Sequence, residues 1–184
     1  MTEMNKYQLD TPCLVIDLDK LTNNIIRMQE FASAKKISVR PHAKTHKCSM
    51  IAKLQCEYGA IGICVAKVSE AYELAKTGIT GILITSPVVT ENKIAILLKV
   101  LELVPETMLV VDNIDNAILL NSTMMANNKT LNVLLDIDSG QLRTGVLPDK
   151  AVEVATQINA LSHLNFMGIQ CYAGHIQHIK NWEE

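Results

Sequence analysis

The sequence of 184 residues predicts an α/β fold in which helices cover a parallel β-sheet. The main observation is that short apolar runs alternate with amphipathic segments of helical periodicity, at a spacing of about 20 to 30 residues. A second observation is the composition, because 48% of the residues are hydrophobic but only 4% are aromatic. A chain rich in Ile, Leu, Val and Ala is typical of parallel strands that are buried on both faces.

The first helix is predicted over residues 19–34, after an extended apolar stretch at residues 13–16. Its apolar side chains recur at helical spacing between Leu21 and Ala32. Asp19 is expected to be the N-cap, because its carboxylate can accept hydrogen bonds from the unpaired amides of the first turn.

Six strands and five further helices are predicted after the first helix. Gly59 and Gly78 mark the ends of two of these helices, because glycine readily adopts the left-handed conformation found just after a helix. The strands are predicted at residues 37–42, 61–66, 81–85, 107–112, 131–138 and 165–172, and the helices at residues 47–58, 68–76, 91–103, 114–125 and 149–161.

Polar residues at the ends of the strands favour a (β/α)8 TIM-type barrel over an open, doubly wound sheet. Barrel active sites gather at the C-terminal ends of the strands. Here four predicted strands are followed by such residues, namely Lys44, Asp112, Asp138 and Tyr172. No GxGxxG or Walker motif follows any strand, which removes the usual signature of the doubly wound alternative.

The predicted barrel is incomplete. A closed barrel of this kind needs eight strands, whereas the sequence supplies about six before it ends at residues 182–184. A sheet that stopped there would leave a hydrophobic edge strand unpaired. We therefore expect residues 1–184 to be part of one barrel domain in a longer protein.

Charge and composition argue against several classes of protein. The formal net charge is −2, so no overall positive field collects nucleic acid or an anionic membrane. Residues 1–10 are polar and lack the apolar core of a signal peptide, and no apolar run approaches the roughly 18 residues of a membrane span. The five cysteines contain no CxxC pair. They are expected to be free thiols in the cytoplasm, with a catalytic cysteine as the alternative.

The strongest chemical signal is the segment RPHAKTHK at residues 40–47, directly after a predicted strand. If the backbone stays extended, one face carries the alternate residues Arg40, His42, Lys44 and His46. Lys44 then has the surroundings of a lysine that forms a Schiff base. Such an amine must lose a proton before it attacks an aldehyde, and neighbouring positive charge or partial burial favours that loss.

The positive charge beside this lysine is expected to come from the basic residues around it, namely Arg40, Lys47 and a protonated His42 or His46. Two other interpretations of the same segment stay open. A short basic stretch can simply be a solvated surface or a contact to phosphate. The two histidines can also bind a metal ion, although the segment contains no acidic residue.

Two later strand ends carry further polar groups. Residues 138–145 read DSGQLRTG, in which the glycines allow tight turns and Arg143 can bind an oxyanion; similar loops also occur without that role. Residues 170–178 read QCYAGHIQH, and histidines at this spacing can bind a metal, line a polar pocket or face solvent. Earlier in the chain, Lys67 and Glu70 at a helix start are expected to form a structural pair.

Together these segments resemble the D-threonine aldolase and D-serine dehydratase family, whose barrel is similar to the N-terminal domain of alanine racemase. RPHAKTHK is the most specific of them. The others are LDTP at residues 9–12, CVAKVSEA at 64–71, DSGQLRTGV at 138–146 and QCYAGHIQH at 170–178. The resemblance spans nearly all of the chain.

The resemblance implies that Lys44 forms a Schiff base with pyridoxal 5′-phosphate (PLP). It also implies a contact between Arg143 and the phenolic oxygen of the cofactor, with Tyr172 lying against the cofactor. The remaining pocket residues that it implies are His42, Gln170 and His175.

The activity that the resemblance implies is a PLP-dependent lyase that cleaves or dehydrates β-hydroxy D-amino acids. A divalent metal and a homodimer are expected only for the full-length protein, and no metal ligand is assigned within this sequence. The alternatives are an amino-acid racemase with the same barrel, and a non-catalytic PLP-binding protein or inactive truncated chain. A nucleic-acid module that uses residues 40–47 is disfavoured by the net charge and the scarcity of aromatics.

Overall fold

The computed structural model describes residues 5–181. Residues 182–184, and the first four residues of the polar segment 1–10, lie outside the described residues. The chain divides into two compact units, Met1–Ser38 and Val39–Glu184. No helix among the described residues is long and apolar enough to cross a membrane.

The first unit contains a short 3-10 helix at Lys6–Gln8 and the helix α1 at Leu18–Ala34. The predicted helix is therefore confirmed, but the predicted cap is wrong. Asp17 is the N-cap, and its carboxylate accepts a hydrogen bond from the amide of Lys20 at 3.0 Å. Asp19 lies within the first turn, where its negative charge interacts favourably with the helix dipole but does not cap the helix.

The second unit is a parallel sheet whose strands follow one another in chain order and are connected by helices. The strands are β1 (Cys64–Val65), β2 (Leu83–Ile84), β3 (Met108–Val111), β4 (Leu131–Ile137) and β5 (Leu164–Cys171). The helices are α2 (Ser49–Glu57), α3 (Val68–Lys76), α4 (Glu91–Leu103), α5 (Ile114–Ala126) and α6 (Ala151–Asn159). A sequential parallel order is that of an arc of a β/α barrel, whereas a doubly wound sheet reverses its order.

The core of this unit lies between the sheet and the helices that connect its strands. Its largest side chains are completely buried, among them Leu97 from α4, Leu109 from β3, Leu120 from α5 and Leu135 from β4. Neighbouring strands keep one register except for an irregularity between Val133 and Leu134. The C-terminal ends of the strands are therefore held at one edge of a packed layer.

The predicted strand at residues 37–42 is not a strand in the structure. Its backbone does run beside β1: Ile61 N–H donates to the carbonyl of Val39 at 2.9 Å, and Cys64 N–H donates to that of Pro41 at 2.8 Å. Only one parallel bridge forms, between His42 and Cys64, because proline has no N–H with which to continue a ladder. This bridge fixes His42 at the edge of the sheet.

Candidate active site

A cavity of about 300 Å³ lies at the C-terminal ends of the strands. Its lining residues are Arg40, His42, Lys44, Cys64, Thr85, Arg143, Gln170, Cys171 and Tyr172. Five of the six residues that the sequence singled out are therefore brought together, and His175 is the exception. Thr85 was missed, although its position directly after β2 is the same signal that pointed to the other strand ends.

Lys44 lies on a turn and not on an extended segment. The chain turns after Ala43, whose carbonyl accepts a hydrogen bond from the amide of Lys47 at 2.8 Å. The predicted alternation consequently fails beyond His42, and His46 does not line the cavity. The side chain of Lys44 is exposed at the cavity, so burial does not favour loss of its proton.

Both histidines of the segment are poor sources of positive charge. Burial lowers the pKa of His42, and the nearby charge of Lys44 lowers it further. Burial also lowers the pKa of His46. The lowered pKa values disfavour a protonated histidine as the source of charge beside Lys44, and the cations that share the cavity with it are Arg40 and Arg143.

Tyr172, which follows β5, carries two cations beside its ring. The Cζ atom of Arg143 lies 4.7 Å from the ring centroid, and the Nζ atom of Lys44 lies 5.6 Å from it. Cations near an aromatic ring are attracted by its negative faces. Gly174 makes room for the ring, because a β-carbon at that position would overlap the phenol. The ring therefore places an amine and a guanidinium in one cavity.

The loop that carries Arg143 is held by the carboxylate of Asp138. This carboxylate accepts hydrogen bonds from the amides of Gly140 at 2.9 Å and Leu142 at 3.0 Å. Gly145 has a φ of +103°, and a β-carbon there would lie 2.5 Å from the amide nitrogen of Asp138. The predicted tight turning of this loop is confirmed, and the role of Asp138 is to shape it.

Gln170 is oriented by a buried acid that the sequence reasoning missed. Its Nε2 atom donates to Oδ1 of Asp136 at 2.9 Å, and Asp136 is only 2% exposed. Because the amide nitrogen is turned toward the carboxylate, the amide oxygen of Gln170 is turned away from it. A charged residue before the end of the mostly apolar run at residues 131–137 was the available signal for Asp136.

His175 lies in the 3-10 helix Gly174–His178, outside the cavity lining. Its Nδ1 atom is buried and has no hydrogen-bond partner among the described residues. Within residues 5–181, no group of three or more His, Cys, Asp or Glu side chains is placed to hold a metal ion. The role of His175 as a pocket residue stays a prediction.

Glu70 holds the turn of residues 43–47 against the start of α3. Its carboxylate pairs with the ammonium of Lys47 at 3.0 Å and accepts a hydrogen bond from the amide of Ala66 at 2.9 Å. The predicted partner, Lys67, contributes only its backbone amide, at 3.3 Å. The prediction of a structural role is confirmed, but the ion pair is made by a different lysine.

The lowered histidine pKa values predict how stability depends on pH. Because the pKa of His42 and of His46 is lowered from 6.5 in the folded state, the unfolded chain binds more protons just below that value. The free energy of unfolding is therefore expected to fall as the pH drops from about 7 to 5, by at most about 1.4 kcal/mol per pH unit for each proton. Urea unfolding at several pH values measures this slope.

The matched control is the double variant His42→Gln, His46→Gln. Its slope between pH 7 and 5 is expected to be smaller, because glutamine does not titrate. The lowered pKa of Glu70 acts only below its usual value of 4.5, outside this window. An unchanged slope in the double variant would show that other groups cause the dependence.

Comparison with known proteins gives one family and several similar proteins. Residues 16–182 match the family model of the alanine racemase N-terminal domain. A D-threonine aldolase of Arthrobacter sp is 40% identical over 178 residues, which are 96% of this chain and 47% of that protein. A 3-hydroxy-D-aspartate aldolase of Paracoccus denitrificans is 36% identical over 183 residues, 98% of this chain and 47% of that protein.

Among solved structures, the crystal structure of D-threonine aldolase from Filomicrobium marinum superposes with a TM-score of 0.91 at 38% identity. The match covers 95% of this chain and 47% of that one. This chain thus spans about half the length of the relatives that it matches. The superposition confirms the predicted fold class, a partial β/α barrel.

Proposed function

Because this chain belongs to the family of the alanine racemase N-terminal domain, we propose that it is the lysine-bearing part of a PLP-dependent lyase that acts on β-hydroxy D-amino acids. The observation that carries the proposal is the cavity in which Lys44 and Arg143 flank the ring of Tyr172. By their names, both relatives are aldolases whose substrate is a D-amino acid with a β-hydroxyl group.

The residues of the cavity fit the aldehyde and ring of PLP. A primary amine lies at its edge, and its size of about 300 Å³ is within the range of small-molecule sites. The charged side chains that line it are all cations, namely Arg40, Lys44 and Arg143, which suits an anionic ligand. The phosphate group would need further donors, which we expect from the part of the relatives that this chain does not match.

Lys44 would hold the cofactor covalently through Nζ. Its exposure at the cavity leaves the amine accessible to an aldehyde, and no carboxylate among the described residues lies within ion-pair distance to sequester it. When not bonded to the cofactor, the same amine would move a proton at the reacting carbon.

Arg143 and Tyr172 would orient the ring of the cofactor. The guanidinium of Arg143 can donate hydrogen bonds to the phenolic oxygen. The Tyr172 ring offers a flat apolar surface that is 41% exposed. Gln170 would add an acceptor, because its amide oxygen is the end turned away from Asp136.

When bound, PLP withdraws electrons from the α-carbon of an amino acid, so that a bond to that carbon can break. The orientation of the substrate decides which bond breaks. The two named relatives favour cleavage between Cα and Cβ, which releases glycine and an aldehyde from D-threonine. A divalent metal that binds the β-hydroxyl, and assembly as a homodimer, stay predictions for the full-length protein.

Product analysis tests the proposed function. The full-length protein is incubated with PLP, a divalent metal salt and D-threonine, and the products are separated by chromatography. We expect glycine and acetaldehyde. A keto acid and ammonia would instead identify a dehydratase, and conversion to the α-epimer would identify a racemase. A PLP-loaded protein that forms none of these products would contradict the proposal and favour a non-catalytic PLP-binding protein.

A further inference from the structure

A chain of hydrogen bonds connects the backbone of Lys44 to the neighbouring strand ends. The amide of Lys44 donates to Nδ1 of His42 at 3.2 Å. The Nε2 atom of His42 lies 3.1 Å from the hydroxyl of Thr85. That hydroxyl donates to the carbonyl of Val65 at 3.0 Å. The chain therefore runs from the turn that carries the lysine, through the imidazole, to the ends of β1 and β2.

The hydrogen bonds allow one protonation state of His42. Because Nδ1 accepts the amide proton of Lys44, it carries no proton of its own, and in a neutral imidazole the proton is then on Nε2. The hydroxyl of Thr85 has a single proton, which it donates to Val65, so toward His42 it can only accept. Both ends of the imidazole thus specify the neutral tautomer with the proton on Nε2.

Any other state of His42 loses one of these hydrogen bonds. A proton on Nδ1, in the second tautomer or in the imidazolium ion, displaces the amide of Lys44. The charged groups near the ring are Lys44 and Glu70, which act on it in opposite directions, while Arg40 and Arg143 line the same cavity. Burial is the larger influence, and it opposes the charged form.

We propose that Thr85 is a positioning residue for Lys44: it holds His42 in the Nε2-protonated tautomer, and the free Nδ1 of that tautomer fixes the lysine backbone where the turn begins. Thr85 follows β2, and its amide and hydroxyl both donate to the carbonyl of Val65, at 2.9 Å and 3.0 Å. A side chain anchored twice to the sheet gives the imidazole a fixed acceptor. The hydrogen bonds do not depend on the proposed function, but the role of positioning Lys44 rests on the proposed function of that lysine.

Nuclear magnetic resonance of the protein without cofactor tests this arrangement directly. The protein is labelled with ¹⁵N, and the ring signals of His42 are identified by their loss in His42→Gln. We expect a protonated Nε2, an unprotonated Nδ1, and a slowly exchanging Nε2–H proton. Thr85→Ser should keep that slow proton, because serine retains the hydroxyl, whereas Thr85→Val should lose it.

The same spectra report on the backbone of the lysine. In Thr85→Val the amide proton of Lys44 is expected to exchange about tenfold faster, and in Thr85→Ser at nearly the wild-type rate. Amides of α4, far from the chain of hydrogen bonds, serve as an internal reference for general stability. A wild-type His42 that carries its proton on Nδ1 would overturn the proposal. So would a Thr85→Val variant whose Lys44 amide exchanges at the wild-type rate.

A second measurement separates this proposal from the proposed function. PLP is added, and the rate at which borohydride attaches it to the protein is followed by mass spectrometry. We expect a rate about tenfold lower in Thr85→Val and a nearly normal rate in Thr85→Ser. If wild-type protein takes up no PLP, the proposed function fails while the magnetic resonance result still decides the role of Thr85. Equal rates in wild type and Thr85→Val would overturn that role.

Discussion

Replacing Lys44 with alanine is expected to lower lyase turnover by at least about 10³-fold. The variant loses both the amine that would hold the cofactor and the base that would move a proton, and the described residues offer no second amine among the lining of the cavity. The side chain is exposed, so its removal should leave the stability nearly unchanged. Product formation from D-threonine and urea unfolding measure the two effects.

Lys47→Ala is the matched control, because this lysine ends the same turn but points to Glu70 and lines no part of the cavity. Its ion pair is largely exposed on the lysine side, and such pairs contribute about 0–1 kcal/mol. Turnover in this variant should stay within about threefold of wild type. Turnover that survives in Lys44→Ala, or an equal loss in both variants, would contradict the role of Lys44.

Gly62→Ala is expected to have the largest effect on stability, a loss of about 2–5 kcal/mol. Gly62 has a φ of +138°, and a β-carbon there would overlap the carbonyl oxygen of Gly81 and the guanidinium of Arg40. That guanidinium also donates a hydrogen bond to the same carbonyl. An alanine would therefore separate β1 from β2 and displace a residue of the cavity.

Gly168→Ala is the control, since Gly168 has a nearly identical φ of +136° but no atom within 4 Å of where its β-carbon would be. Its free energy of unfolding should fall only by the cost of placing alanine in this unfavourable backbone conformation, about 1–3 kcal/mol. Urea unfolding of both variants measures the difference, which isolates the steric contact. Equal losses would mean that Gly62 is required for its conformation alone.

The helices were predicted well because their periodicity, and in some cases their ends, can be read from residues close along the chain. The predicted bounds of α3 and α4 match the structure, Val68–Lys76 and Glu91–Leu103. A glycine follows α3 closely, at Gly78, with a positive φ. Helix formation depends on neighbours within one or two turns, so the sequence carries most of the information.

The short strands were predicted less well because their length depends on partners far along the chain. The apolar runs at residues 61–66 and 81–85 contain only two residues each that form regular strand, in β1 and β2. Gly62 and Gly81 both have positive φ and approach each other closely. No periodicity in either run reveals that contact.

Most of the candidate site could be predicted, because polar residues at strand ends meet at one edge of a parallel sheet. Thr85 and Asp136 were missed despite their positions in or after a strand, since their importance lies in hydrogen bonds to His42 and Gln170, which are distant in sequence. The turn at Lys44, in place of the extended backbone considered from the sequence, has a similar cause. The turn follows Ala43, a buried core residue that packs against residues from later parts of the chain.

Covalent capture of PLP tests the central claim most directly. The chain is mixed with PLP, reduced with borohydride and digested, and the modified peptide is sequenced by mass spectrometry, with Lys44→Ala and Lys47→Ala treated in parallel. We predict one dominant site at Lys44, retained in Lys47→Ala and lost in Lys44→Ala. Labelling spread over the lysines of the chain, or labelling that persists in folded Lys44→Ala, would contradict the assignment of this cavity as the PLP site.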